Sequence, residues 1–231
     1  MRFSTYEASY DNLPSLLAII MQRNHGSEYS IREIPNNSGG PRILQRAFFY
    51  LGACVKAFQF CLPILCIDGT CLTGKYKGTI LTGIGVDGNN QLLPVTFAFV
   101  ESENIESWFC FLKLVKQHVV VGRPNVCLIS DRHAGILQAI DRLQNGGGTS
   151  TPIWLDVHNR WCLRHIGANL HDHFKNKDLM DHFKRIASQN QERKFKTLWK
   201  MLDRLTAKLT GDESDPPRSR PFSDWIRDVP K

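Results

Sequence analysis

The chain has no apolar run long enough to span a bilayer and no signal-peptide pattern at its start, so neither a membrane span nor secretion is expected. It also lacks any Cys-x2-Cys pair. Its seven cysteines, at 54, 61, 66, 71, 110, 127 and 162, are odd in number and lie mostly in apolar segments. That usage argues against a disulfide framework and for a reducing compartment, with most of the thiols serving as small core residues. No internal repeat is present. Negative charge is short: 22 Asp and Glu face 29 Lys and Arg, leaving +7 and a pI of about 9.1.

What is present is enough for one sizeable core. The 231 residues are 42% hydrophobic, which allows a single main domain with a smaller appendage. The excess positive charge favours an anionic partner, and it is concentrated. From Arg160 to Lys208 twelve Lys or Arg face five Asp or Glu. Such a stretch is either a pair of solvated helical faces or a surface for nucleic-acid phosphates.

The hydrophobic pattern divides the chain. Tyr6 to Gln22 is amphipathic and predicts a helix, Asn24 to Pro41 is rich in turn formers and reads as a linker, and Ala47 to Phe60 reads as helical. Strands are predicted over Ile64–Leu72, Thr79–Val86 and Gln91–Val100, the last two joined by the hairpin signal Asp87-Gly88-Asn89-Asn90. A helix over Ser107–Val121, a strand over Asn125–Ser130 and a helix over Ala134–Leu143 follow, with a short strand at Trp154–Val157. Helices are predicted over Arg160–Phe174, Leu179–Ser188 and Glu192–Leu209, and a disordered tail from Thr210 to Pro221. The domains read as a helical lead-in and linker (1–60), a core (61–209, helical from 160) and a tail that starts a further region (210–231). A three-stranded meander followed by helix, strand and helix is the order of the ribonuclease-H-like α/β fold, a mixed sheet with helices on both sides and here a helical C-terminal extension.

Two aspartates end buried apolar runs: Asp68 after Ile64-Leu65-Cys66-Ile67, and Asp131 after Val126-Cys127-Leu128-Ile129-Ser130. A carboxylate at the end of a core strand is costly to bury unless a metal or cation uses its charge. In the ribonuclease-H-like order their strands are central neighbours, as two-metal phosphoryl transfer requires. The plainer readings are that Asp68 caps a turn at Gly69 and that Asp131 caps the helix near Ala134. Glu192 opens the last basic helix and is the candidate third acid, with Asp203 its competitor; a Glu there also simply favours the helix dipole. Gly83-x-Gly85-x-x-Gly88 matches the dinucleotide fingerprint but leads into a strand rather than a helix, so it is rejected. Cys162 and His165, one helical turn apart among His158, His171 and His173, could contribute to zinc binding. The absent Cys-x2-Cys half disfavours it, and a packed core motif is the plainer reading.

The run Cys66-Ile67-Asp68-Gly69-Thr70-Cys71-Leu72-Thr73-Gly74-Lys75-Tyr76-Lys77-Gly78, continuing through Gly85-Val86-Asp87-Gly88-Asn89-Asn90, resembles the transposase core of Mutator-like elements. Pro94 to Glu103, Trp108, Leu128 to Ile136 and Arg160 to Asn169 extend the likeness over roughly residues 5 to 205. The resemblance implies a DD(E/D) transposase that cuts element ends and joins the freed 3′-hydroxyl to target DNA with two Mg²⁺ or Mn²⁺ ions. Its first two acids fall on Asp68 and Asp131, and its Cys-x2-His motif on Cys162 and His165. Where the family carries Glu-Phe this chain has Lys194-Phe195, so Glu192 is the expected third catalytic and metal-binding acid. DNA contacts are expected from Arg132, His133, Arg164, Lys184, Arg185, Arg193 and Lys194. Double-stranded DNA as partner, homo-oligomerisation, a nuclear location and no membrane association complete the implied picture. The family's terminal zinc-binding modules are missing here, as in an excised core. The other class of reading is a domesticated, non-catalytic DNA-binding regulator or relic.

Overall fold

A computed structural model describes residues 5–37, 39–40, 42–146, 153–208 and 221–228. The chain divides into two compact units: residues 1–130 with 134–160, and residues 131–133 with 161–231.

The first unit is built on a seven-stranded mixed sheet. Its strands are β1 (Glu28–Ile34), β2 (Ile43–Tyr50), β3 (Ile64–Cys71), β4 (Thr79–Val86), β5 (Leu92–Val100), β6 (Cys127–Ser130) and β7 (His158–Trp161), in the spatial order β1-β2-β5-β4-β3-β6-β7. β3, β4 and β5 form the antiparallel meander, and β6 lies parallel to β3 on its other side. The meander was legible because its alternation is local: Leu65 and Ile67 of β3 and Leu81 of β4 are buried, while Cys66 and Asp68 are half-buried. The hairpin forms where expected. Asp87 Oδ1 accepts the amide protons of Asn89 and Gln91, and Asn90 takes the positive φ of 61°.

Helices α1 (Tyr6–Asp11), α2 (Leu13–Arg23), α3 (Gly52–Phe58), α4 (Ile105–Leu114, extended by a π-helical turn at Val115–Val119) and α5 (Ala134–Asn145) complete this unit. Asn104 caps α4 through its side chain, which accepts the Ser107 amide proton at 2.9 Å. Trp108, Phe111 and Leu112 of α4 are buried with Leu65, Ile67 and Leu81 in one core. Gly85 of the rejected fingerprint lies within β4, and a Cβ there would meet the Phe58 ring at 2.7 Å, so packing demands the glycine.

Three expectations are corrected. The supposed linker contains β1, an edge strand whose residues are almost all exposed and so carry no hydrophobic alternation. The supposed helix 47–60 begins as β2, because Ala47 to Tyr50 pair with Phe99 to Thr96 of β5; only from Gly52 does the chain turn helical. The lead-in is therefore helix, strand, strand and helix. The last strand is His158–Trp161 rather than Trp154–Val157, and it takes the first residues of the helix predicted from Arg160. Trp154 and Val157 are core residues outside any strand.

The second unit is helical: α6 (Leu163–Phe174), α7 (Lys177–Ala187), α8 (Glu192–Ala207) and α9 (Phe222–Asp228). Leu170, Leu179, Phe183, Leu202, Phe222 and Trp225 share its core. The tail predicted as disordered lies almost wholly outside the described residues.

Candidate metal centre and basic face

Asp68 stands near the end of β3, a strand flanked on both sides by β4 and β6. Its Oδ1 accepts the Gly69 amide proton at 3.0 Å, and Thr82 Oγ1 donates to its carbonyl at 3.3 Å. The strand continues through Gly69 and Thr70 to Cys71, so Asp68 caps no turn. A half-buried carboxylate inside a central strand is what a hard cation uses.

Asp131 is the residue directly after β6. Its Oδ1 accepts the His133 amide proton at 3.1 Å, an Asx turn leading into α5 at Ala134. The capping reading of Asp131 thus has a geometric basis, and it leaves the carboxylate half-buried at the strand end. In the parallel ladder Cys66 pairs with Ile129, and each aspartate stands two residues further along its own chain.

Arg132 is buried, with 8% of its surface exposed. Its guanidinium lies 4.3 Å from the Trp161 ring centre and donates through Nη1 to the Ile226 carbonyl at 2.9 Å; burial lowers its pKa. The guanidinium expected to meet DNA is thus largely buried and stacked on an aromatic ring. His133 beside it is half-buried.

Glu192 opens α8 with its side chain 79% exposed and 2.5 Å from Lys196 Nζ. Asp203, the competing acid, accepts from the Ser223 amide (2.7 Å) and hydroxyl (2.8 Å) and so joins α9 to α8. Among the described residues no three of His, Cys, Asp and Glu are grouped to hold a metal ion. Cys162 is the N-cap residue of α6, and Arg164 Nη2 lies 2.6 Å from His165 Nε2.

The other cations expected to meet DNA are exposed on the second unit. Lys184, Arg185, Arg193 and Lys194 are exposed, as is Arg164. Arg185, Arg193 and Lys194 line a groove of about 680 Å³ with Gln189, Gln191 and Thr197, a lining without a carboxylate. Lys184 is paired with Asp181 at 3.4 Å.

One acidic residue escaped the sequence reading. Glu103, just before the α4 cap, lays its carboxylate against Gly69, the neighbour of Asp68, and accepts from Trp108 Nε1 at 3.2 Å. The spacing Glu103-Asn104-x3-Trp108 across a helix start is the only sequence signal for it.

The first unit is thus a mixed α/β domain with Asp68 inside its central strand β3. Residues 64–169 match the family model of the MULE transposase domain, a match that supports a MULE-type transposase fragment and suggests a transposase-related function. No curated protein matches the chain. No described helix is long and apolar enough to cross a membrane.

Proposed function

We propose that this chain carries the ribonuclease-H-like core of a DD(E/D) transposase, cutting and joining double-stranded DNA at element ends and target. One observation carries the reading: Asp68, within β3, and Asp131, directly after β6, each stand two residues beyond the paired Cys66 and Ile129 of adjacent, parallel central strands. The spatial order β5-β4-β3-β6-β7, a meander with the next strand parallel to its first, supports the fold assignment. Half-buried carboxylates are hard oxygen donors of the kind that hold Mg²⁺ or Mn²⁺. When bound, paired divalent ions supply activation of the attacking oxygen and stabilisation of the leaving one. Asp68 and Asp131 would hold them, with the Gly69 and His133 amides orienting the two carboxylates, and the cations of α7 and α8 would take the DNA phosphates.

A second reading, a non-catalytic DNA-binding regulator or inactive relic, is favoured by the exposed Glu192–Lys196 pair and by Lys194 in the slot of the family's acid. One experiment separates them. An active core nicks supercoiled DNA in Mg²⁺ or Mn²⁺, gains melting temperature in millimolar Mn²⁺, and loses both in Asp68→Asn and Asp131→Asn. No nicking and an unmoved melting temperature identify the regulator. Residual nicking equal in wild type and both variants removes the aspartates from the chemistry.

A further inference from the structure

We infer that α8 is a DNA-reading helix that seats a basic stripe in the major groove of double-stranded DNA; this rests on the DNA-binding part of the reading above. The stripe has one sign. With 3.6 residues to the turn, Arg193, Lys194, Lys196, Lys200, Arg204 and the C-cap Lys208 fall on one side of α8, and all six are exposed. Phe195, Leu198, Trp199, Leu202 and Leu205 turn the other way, into the core of the second unit. The helix has two acids. Asp203 is turned to Ser223, and Glu192 pairs with Lys196. Among the described residues, Lys196 is the only one of the six cations with a carboxylate partner.

A solvated face does not call for this arrangement. Exposed helices ordinarily intersperse both signs, as α7 does where Lys184 pairs with Asp181. Like charges four residues apart oppose a helix, and Lys196, Lys200, Arg204 and Lys208 follow one another at that spacing. Arg193 and Lys194 stand in the first turn, where the helix dipole favours acids. A polyanion relieves both costs. The layout of the stripe selects its shape. Lys196 and Lys200 edge it on one side and Lys194 and Lys208 on the other, with Arg193, Thr197 and Arg204 down the middle. Two rows of cations match the two phosphate strands that wall a groove, and Arg and Thr are groups that meet base edges. An α-helix with its side chains is about 10–12 Å across, and the major groove of B-form DNA is about 12 Å wide. Residues 188–191 join α7 to α8, the connection length of helix-turn-helix pairs whose second helix enters that groove. Duplex RNA has a major groove too narrow for a helix.

The test is fluorescence anisotropy of the purified full chain with a short labelled DNA duplex at several salt concentrations. The double variant Lys200→Gln/Lys208→Gln removes one cation from each edge, and the slope of log affinity against log salt falls by about 2. Its melting temperature stays that of wild type, because Gln forms helix as well as Lys does. Lys200→Arg/Lys208→Arg keeps the wild-type slope. The wild-type chain alone supplies the second arm: it binds duplex RNA more weakly than DNA, and it loses affinity for a duplex whose major groove is filled by glucosylated hydroxymethylcytosine. DNA binding with a wild-type slope in the Gln double variant overturns the role of α8 and leaves DNA binding by the chain standing. Equal wild-type affinity for plain DNA, glucosylated DNA and duplex RNA marks a general phosphate surface and overturns the groove seat. No binding of any duplex by the wild-type chain overturns the inference together with the DNA-binding reading.

Discussion

At the residue scale, what a carboxylate can do depends on where its oxygens are already committed. Asp203 gives one oxygen to the Ser223 amide and the other to its hydroxyl, and Trp199 Nε1 donates to the same hydroxyl oxygen at 2.7 Å. That knot joins α8 to α9. Asp203→Ala is expected to cost about 1.5–3 kcal/mol, the range for hydrogen bonds to a charged group, measured by chemical denaturation. Mn²⁺ affinity should be unchanged in the same variant. Glu192 lies at the other extreme: its exposed bond to Lys196 is worth under about 1 kcal/mol and holds it to its own helix. Asp68 and Asp131 differ from both by being half-buried, Asp68 inside β3 and Asp131 just after β6, and both were legible from the apolar runs before them. The place of Glu103 was not legible, because it lies against the Cβ position that Gly69 leaves empty.

At the element scale, β2 is the strand the sequence hid. Phe48 and Tyr50 are buried and Phe49 half-buried, but a run this short and apolar fits helix or strand until a partner is known. β5 is that partner, and Arg46 secures the join. Its guanidinium pairs with Glu101 just beyond β5 and reaches the Glu106 carbonyl (3.2 Å) and Cys110 Sγ (3.0 Å) on α4. The Arg46 hydrogen bond holds the Glu101 carboxyl below its ordinary value of 4.5. A depressed carboxylate contributes stability above its unfolded pKa and loses it as pH falls through the folded one. Arg46→Met should therefore lower stability by about 1 kcal/mol at neutral pH, a figure discounted for the exposure of Glu101. The deficit should shrink in melting curves taken below the ordinary glutamate range.

At the scale of the whole molecule, the basic helices and the acids Asp68 and Glu103 belong to different parts of the chain. Lys184, Arg185, Arg193 and Lys194 lie on α7 and α8 of the second unit, while Asp68 and Glu103 lie on the sheet unit. If those four cations meet DNA phosphates, replacing all four by alanine flattens the plot of log affinity against log salt. The slope falls by up to about 3–4, as fluorescence anisotropy at several salt concentrations would show. Sequence alone determined the meander, its hairpin, the aspartates that follow two apolar runs and the basic helices, because alternation, turn chemistry and charge are properties of neighbouring residues. Tertiary structure decided the rest: that residues 43–50 form a strand, that Arg132 lies against Trp161, and that Glu103 lies over Gly69. Each of these depends on which distant residue fills a given space, and no local pattern encodes that.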